Sequence, residues 1–196
     1  MPKLSTTVFR EKRQHVINAA RMVFSETGYA ESSIKEIIRK AGVSNGAFFV
    51  YFKNKKEILI EIIHQNLGVF RGRVDEIVKL SAEHDYEIVI EMLLELVKQI
   101  TLGPGRAMSL HVWSSAMLDK EIMSALKQEF DAIMASLIRL STFYIEKSHN
   151  TGVSANRVAT GLFAVFIPGY IIQILMFGPT EPKAYMSSHR SAWAIQ

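Results

Sequence analysis

Residues 44–56, SNGAFFVYFKNKK, place two chemistries side by side. Ser44, Asn45, Gly46 and Ala47 are small or polar, so a helix starting there presents a hydroxyl, an amide and bare backbone to whatever it approaches. Lys53, Lys55 and Lys56 then supply three cations within four positions, and Phe48, Phe49, Tyr51 and Phe52 lie between the two groups. This is chemistry for recognising a polyanion. A DNA major groove about 12 Å wide admits a helix whose leading face is small and polar. Lysines at the start of the following helix meet an anion together with that helix's free amides and its dipole. Phe48 and Phe52, four apart, are expected to lock the short helix to its own domain, leaving Phe49, Val50 and Tyr51 partly outside. On spacing alone a solvated lysine cluster beside an ordinary three-helix core is the competing reading.

Other chemistries find less support. The chain has no cysteine, which excludes disulfides and thiolates. The six histidines lie far apart without an H-x-x-x-H pair, so no metal is expected. GPGR at 103–106 lacks the length and the lysine of a phosphate loop. His111 with Ser114 and Ser115 has no nucleophile elbow around it. Neither catalysis nor a cofactor is expected. A small-molecule pocket is the remaining candidate, since Met92, Trp113, Phe130, Met134 and Phe166 could line it. Met adapts to varied shapes, and His111, Tyr170 and Gln173 could act as polar handles. An ordinary core accounts for the same residues.

The elements that must position these groups read as helices throughout. The 196 residues are 48% hydrophobic and 21% charged, as in a globular protein. Residues 1–60 carry eleven Lys and Arg against five Glu, a net charge of +6, whereas residues 61–196 carry a net −2. One end therefore suits nucleic acid or an anionic membrane. MPKLSTTVFREKRQ has no apolar run before its charges, so no signal peptide is expected and a cytoplasmic location is. Val16, Ile17, Ala20, Val23 and Phe24 form the stripe of a helix over about residues 8–27, stopped at Gly28. Ser33 and Glu36 make a capping box for a short helix ending at Gly42, and Ser44 caps the next. Two short helices joined by a tight turn make a helix-turn-helix. Asn54 and Glu57 open a long helix. Further helices are expected over about 85–102, 106–118 and 119–147, then from Ser154 to about Phe177 with an interruption at Pro168-Gly169, and last from about Pro182. Gly152 is expected to stop the helix before Ser154.

Residues 10–59 closely resemble the DNA-binding domain of the TetR family of transcriptional regulators. The resemblance is carried by the first helix with Gly28-Tyr29, by SSIKEII, and by AGVSNGAFFVYFKNKKEIL. It implies an all-α fold of about nine helices, with a three-helix DNA-binding domain over 1–53 and a ligand-binding and dimerisation domain over 54–196. It also implies that Ser33 and Ser44 contact phosphate and that Asn45, Gly46 and Ala47 face base edges. Phe49 and Tyr51 stand where the family places a backbone-contacting Tyr and His, and Lys55 stands as the phosphate lysine. Phe49 and Val50 cannot donate a hydrogen bond, and Lys56 stands where an acid is more usual. The last two long helices, about residues 154–196, would form a homodimer interface.

The expectation is a ligand-responsive repressor that binds a near-palindromic double-stranded operator as a dimer and is released by a small, largely apolar effector. An activator of the same fold is the alternative. A membrane-associated helical protein is a further one, because residues 158–178 are long and apolar enough to span a bilayer. Pro168, Gly169, Gln173 and the lack of a flanking basic cluster argue against a span. An enzyme on an all-α scaffold is the third class.

Overall fold

A computed structural model describes the chain except residues 1–5, 104–105, 150–151 and 194–196, and the side chains of 106–110 and 190–193 are also left undescribed. Among the described residues there is no strand. The helices are α1 (Thr6–Thr27), α2 (Ile34–Ala41), α3 (Asn45–Tyr51), α4 (Lys55–Lys79), α5 (Tyr86–Leu102), α6 (Arg106–Leu118), α7 (Lys120–Lys147), α8 (Ala155–Phe177) and α9 (Pro182–Trp193). The chain divides into two compact units, residues 1–68 with 107–128, and residues 69–106 with 129–196. α6 and the start of α7 thus group with α1, α2, α3 and the first half of α4.

In the first unit, Val16, Ile17, Ala20 and Phe24 of α1, Ile37 of α2, Phe48 of α3, Phe52, and Ile58, Leu59 and Ile62 of α4 are buried and form the core. Each of these side chains larger than Ala20 contributes roughly 1.5–3 kcal/mol on burial, which two helices of eight and seven residues need, because helices so short are unstable alone. Their ends are also closed. Ser33 Oγ accepts from the Glu36 amide at 3.2 Å while the Ser33 amide donates to Glu36 Oε2 at 2.8 Å. Gly42 takes the left-handed conformation at φ 63° and its N–H reaches Arg39 O and Ile38 O. A polar seam joins α1 to α4: Arg13 donates to Glu61 at 2.8 Å and Arg21 to Gln65 at 3.0 Å. Arg13 holds the Glu61 carboxyl below the usual carboxylate range.

The second unit packs α5, α8 and α9 against the ends of α4 and α7. Val89, Leu93, Leu94, Leu137, Leu140, Tyr170, Ile174 and Tyr185 are its buried centre. Tyr144 donates to His84 O at 2.7 Å and to Ser81 O at 3.2 Å, closing the 3₁₀ turn Leu80–Ala82. α7 ends at Lys147, and His149 at φ 57° supplies the left-handed residue that was expected of Gly152. Ser154 sits before α8 but makes no side-chain cap bond.

The interruption expected at Pro168-Gly169 does not occur, and α8 continues from Ala155 to Phe177. The helix widens into a π turn over Leu162–Phe166, where the Ile167 N–H donates to Leu162 O, five residues back. A proline ring normally collides with the carbonyl four residues earlier, and the widened turn just before Pro168 relieves that collision. Tyr185 of α9 then donates to Phe166 O at 2.8 Å. Its hydroxyl comes so close that a Cβ built on Gly169 would lie 2.6 Å from it, so glycine is required there.

Gly169→Ala is therefore expected to push out the buried Tyr185 hydroxyl and leave it unpaired, at about 1–3 kcal/mol, outweighing the gain of roughly 1 kcal/mol from helix propensity. A thermal melt checks this: the midpoint falls by several degrees, and a rise would show that the hydroxyl moves without cost.

Candidate nucleic-acid interface

The helix-turn-helix presents a small, open surface. Ser44, Asn45 and Gly46 are exposed and Ala47 half-buried, while Phe48 is fully buried beneath them. Ser44 Oγ accepts from the Ala47 amide at 3.2 Å, which caps α3 and leaves the hydroxyl proton to donate outward. Phe49 and Val50 stand out at 54% and 61% exposure. Tyr51 does not lie partly outside as expected. It is buried, because Phe9 of α1 covers its ring at 5.0 Å between centroids. Ser33 is exposed, but its hydroxyl already donates to Glu36 Oε2 at 2.8 Å.

The three lysines differ sharply. Lys53 is exposed. Lys55 donates to the carbonyls of Tyr29 at 2.8 Å, Ala30 at 2.9 Å and Ser32 at 2.8 Å, which uses all three of its protons. Its Nζ also lies 4.8 Å from the centre of the Tyr29 ring. Lys56 pairs with Glu121 at 2.8 Å and Asp119 at 3.4 Å. The loop carbonyls and the two acids are far away in sequence, so the spacing of the lysines carried no sign of them.

A cleft of about 470 Å³ runs between α1 and the turn before α3, lined by Glu11, Lys12, His15, Gly42, Ser44 and Tyr51 among others. His15 Nε2–H donates to Ala41 O at 2.8 Å across it, at the negative end of α2. Sequence reasoning assigned α1 to the core alone. The signal available was the polar face formed by Glu11, Lys12 and His15.

The expected ligand-lining residues fall into two groups. Phe130, Met134 and Phe166 pack against the buried cluster that holds Tyr170, all in the second unit. Tyr170 donates to Thr180 O at 2.6 Å, and burial pushes its phenol up to about 12. Gln173 reaches the Thr180 hydroxyl at 3.4 Å, and Met92 is half-buried on α5. His111 and Trp113 belong to the first unit instead. The His111 ring rests against Gly28, where an added Cβ would lie 3.0 Å away, and Trp113 is 52% exposed.

Comparison with known proteins gives this geometry a lineage. The family described as bacterial regulatory proteins, tetR family, matches residues 16–62, the span from α1 into α4. The fatty acid metabolism regulator protein of Bacillus subtilis (strain 168) is 40% identical over 73 residues, 37% of this chain and 38% of that protein. The chain thus spans little more than a third of that relative's length. The uncharacterized HTH-type transcriptional regulator TtgW of Pseudomonas putida is 30% identical over 97 residues, 50% of this chain and 71% of that relative. Over the whole fold, FadR from Bacillus subtilis in complex with stearoyl-CoA superposes with a TM-score of 0.72 at 21% identity, covering 89% of this chain and 94% of that one. The helix-turn-helix, the all-helical fold and these relatives agree: the chain belongs to the TetR family of bacterial transcriptional regulators.

Proposed function

We propose that the protein is a ligand-responsive repressor that binds a near-palindromic operator as a homodimer and releases it when a small, largely apolar effector binds. The observation that carries the DNA-binding part is the exposed Ser44-Asn45-Gly46-Ala47 face above buried Phe48. Asn45, Gly46 and Ala47 meet base edges, and Ser44 donates to a phosphate. Phe49 packs its exposed ring along the backbone. Tyr51 acts from beneath as a wall of the cleft beside Ser44. Ser33 and Lys55 serve the phosphate side by shaping the loop ahead of α2, since their polar atoms are engaged within the protein.

The dimer reading rests on α8. This helix has a mean hydropathy of 2.0 over its most apolar window, yet only 22% of that window is buried within the chain. Val165, Ile172, Met176 and Phe177 are exposed on it. A second copy covers that face by two-fold symmetry, which also sets two recognition helices about 34–36 Å apart on successive major grooves. Phe166 is a different case, because its ring lies 5.0 Å from Tyr185 and 5.3 Å from His189 within the same chain. The effector reading rests on the second unit, where Met134, Phe130 and Phe166 surround a centre with few polar groups. His111 and Trp113 belong to the first unit and are not part of that buried cluster.

Three outcomes are expected. Selection from random duplex DNA yields a near-palindromic site whose binding weakens steeply with salt, each neutralised phosphate adding roughly −0.9 to the slope of log K against log salt. Asn45→Ala loses about 1–3 kcal/mol at one base position per half-site, and a selection profile identical to the wild type would remove Asn45 from base reading. Ile172→Arg gives monomers or aggregates that no longer bind the selected duplex, checked by sedimentation. A wild-type protein that sediments as a monomer while binding tightly would overturn the dimer. Stearoyl-CoA, the ligand of the Bacillus subtilis FadR structure, is the first compound to titrate against the protein–duplex complex: its acyl chain is apolar while its coenzyme A part is polyanionic, so a response to it and none to the free fatty acid would overturn the apolar-effector reading.

A further inference from the structure

The loop between α1 and α2 is held from three sides. Gly28 takes φ +83° and is buried against the His111 ring of α6, where an added Cβ would lie 3.0 Å from the ring. Lys55 at the start of α4 binds the carbonyls of Tyr29, Ala30 and Ser32. Tyr29 itself packs edge-on against buried Phe24 at 5.3 Å and beneath the Lys55 ammonium. The loop ends at Ser33, the cap of α2, so its geometry sets where the helix-turn-helix begins.

Lys56 is the next residue along and faces elsewhere. Its Nζ lies 2.8 Å from Glu121 Oε2 and 3.4 Å from Asp119 Oδ2. Asp119 is itself anchored, because its Oδ1 accepts from the Glu121 amide at 2.9 Å and the Ile122 amide at 3.3 Å as the N-cap of α7. One ammonium is thus held between two carboxylates, one of which cannot turn away without uncapping a helix. The Glu121 hydrogen bond, followed by the Asp119 contacts, raises the Lys56 pKa above its ordinary value.

We infer that Lys56 is a positioning residue for DNA recognition. Its ion pairs to Asp119 and Glu121 tie the first turn of α4 to the start of α7, and so fix Lys55 and the loop that delivers Ser33 and α2, without Lys56 touching DNA. The inference rests on the DNA-binding reading above. A direct phosphate contact by Lys56 predicts the opposite sign for its partners: neutralising two acids beside a phosphate-binding lysine strengthens DNA binding by simple electrostatics. If the acids position the lysine, the same change weakens it.

The experiment uses the full-length protein and a duplex selected by the wild type from a random pool. Asp119→Asn with Glu121→Gln keeps the α7 cap, since Asn caps as well as Asp, and is expected to bind that duplex roughly fivefold or more weakly. Lys56→Gln loses a similar factor with the salt slope unchanged. The triple variant is no weaker than Lys56→Gln alone, because one interaction is removed only once, and Lys56→Arg retains wild-type affinity. Unchanged or tighter binding by the Asp119→Asn, Glu121→Gln protein overturns the inference. So does a Lys56→Gln slope shallower by about 0.9, the mark of a lost phosphate. Should Lys56→Gln fail to fold, the carboxylate variant, which keeps the lysine, decides alone. A wild type that selects no duplex overturns the DNA-binding reading itself.

Discussion

Two helices of eight and seven residues carry the face proposed to read DNA, and neither is stable unless something larger holds it. That dependence organises the whole first unit. Ile37 and Phe48, each fully buried, plug α2 and α3 into a floor made by Val16, Ile17 and Phe24 of α1 and by Ile58, Leu59 and Ile62 of α4. The floor contributes burial energy, while direction comes from the capping box at Ser33, the left-handed Gly42 and the Ser44 cap. Burial alone would tolerate a slipped or tilted α3. The caps remove that freedom, since each closes one end of a helix at a defined residue.

Charge does two separate jobs in the same unit. The net charge of +6 over the first 60 residues provides long-range attraction to a polyanion. At short range, much of that charge is committed to the protein: Arg13 to Glu61, Lys40 to Glu26, Lys55 to loop carbonyls and Lys56 to two acids. Exposed ion pairs of this kind contribute little to stability. Their value lies in holding side chains and helix ends in one arrangement, which a recognition surface needs more than it needs extra stability.

The second unit solves a different problem, a helix apolar on nearly every side. Inside, α8 buries Tyr170 and Ile174 and meets the hydroxyl of Tyr185, which reaches the carbonyl of Phe166 over a glycine with no side chain to obstruct it. The π turn lets Pro168 sit within the helix without breaking it. Outside, Val165, Ile172, Met176 and Phe177 form a face that the described residues leave exposed. A second copy is the simplest cover.

Much of this was legible in the sequence because its signals are local. Periodic apolar residues, S-x-x-E over residues 33–36, Gly42 after Ala41 and Asp119 before Lys120 report helix starts and stops through hydrogen bonds made within a few residues. The exposed Asn45 and Gly46 followed from their place ahead of Phe48 on one short helix. Tertiary structure decided whatever depends on residues distant in the chain. Phe9 covers Tyr51, the carbonyls of Tyr29, Ala30 and Ser32 claim Lys55, Glu121 claims Lys56, and the His111 ring rests on Gly28. None of these partners lies within one helical turn of the residue it engages, so no periodicity or spacing could announce it. The continuity of α8 through Pro168 was equally hidden, because a π turn is a choice of backbone hydrogen bond and leaves no mark in residue type. Residue types determined that the protein is helical and that one end suits a polyanion, and only the packed chain decided which cations face outward and which hold the structure together.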